Sequence, residues 1–182
     1  PALLRLANGF GSPNFCTQSS TCFQGDFLAW NTTFGGGPCY PDFRSTRLLL
    51  QWGVNPFHSS PARSACLLQL KRRGVKFITV DPRQTVTAQQ AHIHLRPRPG
   101  TDGALALSMA YVILQEELYD HAFVAQWIHG FPEYRDYAMS FPPERGEALT
   151  GVPAQQIREA ARLYATTKPA AIQFSASSLL HT

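Results

Sequence analysis

The sequence predicts an α/β fold built on a parallel sheet. Two short apolar runs, residues 48–52 and residues 75–80, flank a helical segment at residues 61–73, and together they make one β-α-β unit. Such units form right-handed crossovers between parallel strands. The composition agrees with this fold class, because 44% of the 182 residues are apolar and only 15% are charged, which is typical of a globular chain and not of a disordered one.

The first third of the chain is predicted to be mostly loop. Glycines and prolines punctuate it closely, and one apolar stretch at residues 23–30 is interpreted as a helix. Residues 48–52 then form a short apolar run bounded by Gly53 and Pro56, a pattern that predicts a fully buried strand.

A helix is predicted to follow at residues 61–73, because proline stands at its start and Gly74 stands directly after it. Its apolar face is assigned to Ala65, Leu67, Leu68 and Leu70. The strand at residues 75–80 comes next and completes the β-α-β unit.

The second half of the chain adds two strands and several helices. A third strand is predicted at residues 93–95 and a last one at residues 170–174. A long apolar helix is predicted at residues 103–117, with Thr101 or Asp102 as its N-terminal cap. Further helices are predicted at residues 120–130, around Tyr134 and at residues 153–164.

Charge and cysteine content exclude several classes of protein. The net charge of +4 is carried mainly by arginine, which suits an anionic ligand, but the densest basic cluster, residues 71–73, closes a helix and is too narrow for a nucleic-acid interface. The four cysteines include no C-x-x-C pair, which argues against a structural zinc site. No apolar run approaches the ~20 residues of a membrane span. Neither a nucleic-acid partner nor a direct membrane span is expected.

The chain is expected to be an internal piece of a larger protein. It begins at Pro1 rather than at methionine, and it stops just after an apolar run. Because an export signal would lie outside such a piece, no cellular location is predicted.

Three loops are expected to meet at the carboxyl edge of the sheet, where open sheets bind their ligands. They are residues 53–56, residues 81–85 and residues 100–102. Glycine lets a backbone approach a ligand, arginine grips phosphate through paired hydrogen bonds, and aspartate accepts the N–H groups of a guanine edge. Each loop alone is also an ordinary turn or helix entry. The three together predict a nucleotide-containing ligand, although no G-x-G-x-x-G or Walker motif is present.

The order and spacing of these segments resemble the molybdopterin oxidoreductases of the dimethyl sulfoxide reductase superfamily. The shared landmarks are residues 11–14, 52–56, 73–88, 98–105 and 150–153. The resemblance implies a Rossmann-like parallel sheet with flanking helices in a larger multidomain molybdoenzyme, whose strand-end loops hold one of two molybdopterin guanine dinucleotides. The residues so assigned are Gly53, Asn55, Asp81, Arg83, Thr85, Gly100, Thr101 and Asp102. The sequence does not decide whether Asp81 or Asp102 would accept the N–H groups of the guanine.

The resemblance also implies a protein ligand to the metal. Taken alone, Cys22 is most simply a small buried apolar residue. In the formate dehydrogenase, periplasmic nitrate reductase and polysulfide reductase branches, however, a cysteine or selenocysteine in this region ligates the metal, and a thiolate suits a soft metal held by dithiolenes. Cys22 is therefore assigned as catalytic residue and metal ligand, with Cys16 as its competitor and Ser19 or Ser20 as further alternatives. Phe23 stands where formate dehydrogenases typically carry a catalytic histidine, which argues against that activity.

The resemblance implies two regions, residues 1–46 with the metal-ligand loop and residues 47–182 as the dinucleotide-binding domain. The implied cofactors are molybdenum or tungsten with two molybdopterin guanine dinucleotides, and a 4Fe–4S cluster in an amino-terminal part outside the chain. The implied activity is two-electron transfer of an oxygen or sulfur atom, or of hydride, on a small substrate, as in anaerobic respiration. The implied partners are an iron-sulfur electron-transfer subunit and a membrane anchor subunit. The alternatives are a non-redox hydratase built on the same frame and a cofactor-free subunit of a respiratory complex.

The histidines near these segments are interpreted as structural. His58 is predicted to be a hydrogen-bonded loop residue, and His92 and His94 are predicted to be sheet-edge or surface groups. His181 is a candidate for the pterin-facing loop that the resemblance places near the end of the chain.

Overall fold

The computed structural model describes residues 2–16, 24–36 and 40–175, and the chain divides into two compact units, residues 1–39 and residues 40–182. The first unit contains the helices α1 (Ala2–Gly9) and α2 (Gln24–Phe34). The helix α1 corrects the prediction of loop before residue 23. Its alanine and leucine residues are strong helix formers, and Gly11, with φ at 74°, follows its end.

The second unit is built on a four-stranded parallel sheet, which confirms the predicted fold class. The strands are β1 (Leu48–Trp52), β2 (Lys76–Val80), β3 (Ile93–Leu95) and β4 (Ala170–Phe174), in the order β3-β2-β1-β4. β1 pairs with two neighbours, so that Leu50 lies opposite both Ile78 and Ile172. All five residues of β1 are buried, which is why its sequence is a continuous apolar run.

Eight helices of the described chain accompany this sheet. They are α3 (Pro56–Ser59), α4 (Pro61–Arg72), α5 (Val86–Gln89), α6 (Asp102–Gln115), α7 (His121–Trp127), α8 (Phe131–Ala138), α9 (Pro143–Thr150) and α10 (Ala154–Thr166). The helix predicted at residues 120–130 is shorter than expected, because Asp120 is its N-cap and the chain turns extended at Ile128. The short helices α3 and α5 and the helix α9 were not predicted.

Each face of the sheet has its own apolar core. On one face Leu48, Leu50 and Ile78 pack with α6 and α10, and on the other Leu49 and Phe77 pack with α4. Full burial of one such side chain contributes about 1.5–3 kcal/mol, so these two cores hold the sheet in place.

The predicted apolar face of α4 is partly wrong. Leu67 and Leu70 are buried against the sheet, whereas Leu68 is 44% exposed and Ala65 also faces solvent. A helix places residues three or four apart on one face, and Leu68 lies about 100° round the helix from Leu67.

None of the helices described in residues 2–16, 24–36 and 40–175 is both long enough and apolar enough to cross a membrane.

Candidate functional site

All four strands are parallel, so their carboxyl ends lie at one edge of the sheet, and the predicted loops come together there. Backbone hydrogen bonds continue between the strands for one residue past their ends. The N–H of Gly53 donates to the carbonyl of Val80 at 2.8 Å, and the N–H of Asp81 donates to the carbonyl of Leu95 at 3.1 Å. The loops therefore leave the sheet side by side, and we call the region the carboxyl edge.

The first loop of the carboxyl edge follows β1. Gly53 has φ at 62°, a left-handed conformation that glycine adopts without strain. Asn55 occupies the N-cap position of α3, yet its side chain makes no capping bond. Its Oδ1 instead accepts a hydrogen bond from the hydroxyl of Thr87 at 2.7 Å. The Asn55 Nδ2 group has no acceptor within the described chain and remains free to donate.

The second loop follows β2 and carries opposite charges. Asp81 is only 4% exposed, and its Oδ1 accepts the backbone N–H of Arg83 at 2.8 Å. The Nε of Arg83 lies 3.6 Å from the same oxygen, while the Arg83 side chain is 76% exposed. Thr85 caps α5 by accepting the N–H of Ala88 at 3.1 Å. Most of the guanidinium donors of Arg83 are therefore open to an anion.

The third loop leads into α6. Gly100 has φ at 83°, which again is a conformation that favours glycine. Thr101 occupies the N-cap position, but its hydroxyl donates to the carbonyl of Arg98 at 2.7 Å and caps no helical N–H. The predicted side-chain cap by Thr101 or Asp102 is therefore wrong. The Asp102 carboxylate accepts the indole N–H of Trp52 at 2.6 Å instead.

Sequence reasoning missed three residues that hold the loops in place. The indole of Trp52 binds Asp102, and the hydroxyl of Thr87 binds Asn55. His94 lies on the edge strand β3, as predicted, but it is half-buried and its Nε2 lies 2.9 Å from the carbonyl oxygen of Asp81. The strand register explains this contact, because His94 pairs with Thr79, two residues before Asp81.

The candidate metal ligands belong to a different part of the chain. Cys22, its alternatives Ser19 and Ser20, and the neighbouring Phe23 all lie outside the described residues, as does His181. Cys16 is described and is an exposed free thiol in the first unit. The assignment of Cys22 therefore stays a prediction.

A cleft of about 720 Å³ lies at the opposite edge of the sheet and does not belong to this site. It opens beside the start of β4, and its lining includes Tyr164, Lys168 and Ala170. None of the predicted cofactor-binding residues lines it, so its size does not identify it as the cofactor site.

Comparison with protein families gives one match that spans almost the whole chain. The family described as molybdopterin oxidoreductase matches residues 1–179. Acetylene hydratase of Syntrophotalea acetylenica is 36% identical over 177 residues, which is 97% of this chain and 24% of that protein. Formate dehydrogenase H of Escherichia coli is 44% identical over 128 residues, which is 70% of this chain and 18% of that protein.

Further similarity agrees with this match. The molybdopterin-containing subunit of thiosulfate reductase from Salmonella typhimurium is 34% identical over 93% of this chain and 22% of that subunit. Acetylene hydratase from Pelobacter acetylenicus has a similar solved structure, with a TM-score of 0.84 and 35% identity over 97% of this chain and 24% of that one. The chain thus spans a quarter or less of these relatives. The family implies an oxidoreductase-type enzyme and a pterin cofactor with molybdenum or tungsten. The chain belongs to the molybdopterin oxidoreductase family, within the dimethyl sulfoxide reductase superfamily.

Proposed function

We propose that the carboxyl edge binds one of two molybdopterin guanine dinucleotides in an enzyme that carries out two-electron redox chemistry on a small substrate. The observation that supports this most is the meeting of three loops at one edge. They bring the exposed cation of Arg83 and the free amide of Asn55 to the same edge as the carboxylates of Asp81 and Asp102. In this proposal residues 47–182 form the dinucleotide-binding domain, and residues 1–46 carry the loop that reaches the metal.

The donors and acceptors of this edge fit such a ligand. Arg83 can clamp a phosphate through two hydrogen bonds, and the backbone at Gly53 and Gly100 allows close approach. Asp81 and Asp102 each use Oδ1 in a hydrogen bond and keep Oδ2 without a donor in residues 40–175. A carboxylate oxygen is the acceptor that the N–H groups of guanine require. Thr85 and Thr101 would hold the loops in shape from their own hydrogen bonds.

The bound metal would supply two-electron redox chemistry at an open coordination position. The chain would contribute orientation through the three loops, and Cys22 would contribute a soft thiolate ligand. A 4Fe–4S cluster elsewhere in the complete subunit would pass electrons onward. An iron-sulfur subunit and a membrane anchor subunit are proposed as partners, and the thiosulfate reductase relative is itself described as one subunit of its enzyme.

A second candidate function is the addition of water to a small unsaturated substrate without net redox change. Its support is the similarity to acetylene hydratase over 97% of the chain, in both sequence and structure. Electron transfer from or to an artificial dye in the presence of thiosulfate, nitrate or formate would favour the redox function. Hydration of acetylene without dye reduction would favour the second.

The dinucleotide site can be tested in the complete subunit by replacing Arg83. Arg83→Ala removes charged hydrogen bonds worth about 1.5–3 kcal/mol, so dinucleotide affinity should fall about ten- to a hundredfold. The guanine nucleotide released on acid denaturation and the bound metal are both measured. Arg72→Ala is the matched control, because Arg72 is an exposed arginine at the other end of the sheet.

Unchanged guanine and metal content in Arg83→Ala would contradict the proposed site. The chain of 182 residues by itself is expected to be inactive, because the edge it presents is only part of the proposed cofactor site.

A further inference from the structure

Positive charge is concentrated in one part of the chain. Residues 43–80 contain seven lysine and arginine residues and no aspartate or glutamate. Six of these cations lie at the amino-terminal edge of the sheet. Two of them precede β1, and one begins β2. The other three lie at the end of α4, which runs from the carboxyl edge back to the amino-terminal edge. We call this group the basic edge, and it consists of Arg44, Arg47, Lys71, Arg72, Arg73 and Lys76.

The end of a helix explains only part of the basic edge. Lys71, Arg72 and Arg73 meet the carbonyl end of α4, where cations are favoured by about 0.3–1 kcal/mol each. Arg44, Arg47 and Lys76 lie at no helix end, and all three are exposed. Their position therefore needs another reason.

A pair of hydrogen bonds draws the cations of two segments together. The guanidinium of Arg73 donates to the carbonyl oxygens of Phe43 at 3.2 Å and Arg44 at 2.5 Å. These bonds fix the end of α4 against the segment before β1. They hold like charges near one another, which is unfavourable in the absence of a counter-charge.

Within residues 40–175 the carboxylate of Asp42 interacts electrostatically with one cation of the basic edge, that of Arg44. The ion pairs described there join Arg83 to Asp81, Arg158 to Glu144 and Arg162 to Glu116, all outside this group. The nearby carboxylate of Asp42 is engaged by the hydroxyl of Ser45 and the backbone N–H of Arg44. Arg47, Arg72 and Lys76 make no ion pair with the described part of the chain and therefore remain available to an external anion.

The shape of the basic edge favours several separate carboxylates over a single phosphate. A cleft of about 550 Å³ is lined by Arg47, Arg73 and Lys76 and by no acidic residue. The backbone N–H groups of Arg47, Gly74 and Lys76 are all bonded within the protein, at 2.8–2.9 Å. A compact phosphate site usually offers free backbone N–H groups, and here the positive charge is instead spread along exposed side chains.

We propose that the basic edge docks an acidic polypeptide segment of a partner protein, at the opposite end of the sheet from the carboxyl edge. Complementary charge raises the rate at which two proteins meet and fixes their orientation. The proposal goes beyond the cofactor assignment and does not depend on it.

The test uses the complete, cofactor-loaded subunit and fluorescein-labelled poly-L-glutamate of about 20 residues, followed by fluorescence anisotropy at low ionic strength. The double charge reversal Arg47→Glu with Lys76→Glu should weaken binding at least about tenfold. The control Arg63→Glu with Arg135→Glu makes the same change in net charge at exposed residues outside the basic edge, and it should change binding less than about twofold. Arg47→Gln with Lys76→Gln gives a milder version if the reversal impairs folding.

Three results would overturn the proposal. The first is that the wild type does not bind poly-L-glutamate, and the second is that the test pair and the control pair lose equal amounts of affinity for it. The third is that the wild type binds a labelled single-stranded oligonucleotide or inorganic pyrophosphate more tightly than poly-L-glutamate, and that the test pair of substitutions abolishes this binding. The last outcome would identify a nucleic-acid or phosphate site instead. Guanine and metal content are measured in parallel and should not change in any of these variants, so a failure here is distinct from a failure of the proposed cofactor site.

Discussion

The indole N–H of Trp52 donates to the carboxylate of Asp102 at 2.6 Å, across fifty positions of sequence. Trp52 is 6% exposed and Asp102 is 8% exposed, so the hydrogen bond is shielded from water. It fixes the start of α6 to the end of β1. A buried carboxylate that loses such a donor is left unsatisfied, which costs more than an exposed hydrogen bond does.

Replacing Trp52 with phenylalanine should destabilise the carboxyl edge. Trp52→Phe keeps an aromatic ring but removes the donor to Asp102, so the free energy of local opening should fall by about 1.5–3 kcal/mol. Hydrogen exchange of the β1 and α6 amides measures this change. Trp127→Phe makes the same substitution at a 68% exposed position and should change exchange by less than about 0.5 kcal/mol. Equal effects of the two variants would show that the bond contributes nothing.

Substitution at the candidate metal ligand should separate metal chemistry from cofactor binding. Cys22→Ser in the complete subunit replaces a soft thiolate with a harder oxygen donor, so turnover should collapse and the metal spectrum should change. The guanine content should stay constant, because the proposed dinucleotide contacts lie on residues 53–56, 81–85 and 100–102. X-ray absorption should count one sulfur fewer around the metal. If Cys16→Ser, and not Cys22→Ser, lowers that count, the ligand is Cys16.

A methyl group at Gly146 should disrupt the contact between α9 and α6. A Cβ atom there would lie 2.8 Å from the Cβ of Ser108 and 3.1 Å from the Cδ1 of Ile157, both in buried side chains. Gly146→Ala should therefore lower the urea midpoint, with a cost of about 1–3 kcal/mol from overpacking. Gly103→Ala is the matched control in α6, where a Cβ meets nothing within 4 Å, and it should not lower the urea midpoint. If Gly146→Ala left the urea midpoint unchanged, α9 and α6 would have to move apart freely.

Acid should weaken the ion pair between α6 and α10. Arg162 donates to both carboxylate oxygens of Glu116 at 2.7–3.0 Å, and these hydrogen bonds lower the pKa of Glu116 below its ordinary value of 4.5. Because the pKa of Glu116 is lower in the folded state than in the unfolded state, the ion pair stabilises the fold at pH values above the unfolded-state pKa. This contribution is lost as the pH falls through the folded-state pKa.

The pH dependence is measured by comparing Glu116→Gln with the wild type. The wild type should have the higher urea midpoint at pH 7, and the difference should shrink once the pH falls below about 4.5. Glu117→Gln is the control, because Glu117 is exposed and makes no described ion pair, so its difference from the wild type should not vary in this way. A constant difference for Glu116→Gln would show that the pair does not contribute to stability.

The strands β1 and β2 could be predicted because burial on both faces gives each of them a continuous apolar run in the sequence. The runs at residues 48–52 and 93–95 match the observed strands, and the run at residues 75–80 exceeds β2 by one residue. The helix α9 left no such record. Its buried residues are Pro143, Gly146 and Thr150, so it lacks apolar periodicity, although proline at its start and Gly151 after its end were ordinary helix signals.

The positions of the site loops followed from the parallel sheet, but their side-chain contacts did not. Asn55 and Thr87 are thirty-two positions apart, and no short-range pattern specifies that their side chains meet. Likewise, the position of Asp102 at the start of α6 suggested a helix cap, whereas its carboxylate accepts the indole N–H of Trp52. Contacts of this kind depend on the packing of elements that are distant in sequence.

Each of the three loops of the carboxyl edge is bonded through a side chain to a neighbouring strand or helix. Asn55 is bonded to Thr87, Trp52 to Asp102, and Asp81 to His94. Replacing a single loop with that of another family member would break a hydrogen bond, because one of its two residues would be exchanged and the other would remain. The unit of exchange in protein engineering, and in recombination between natural genes, would be each loop together with the strand or helix residue that it bonds.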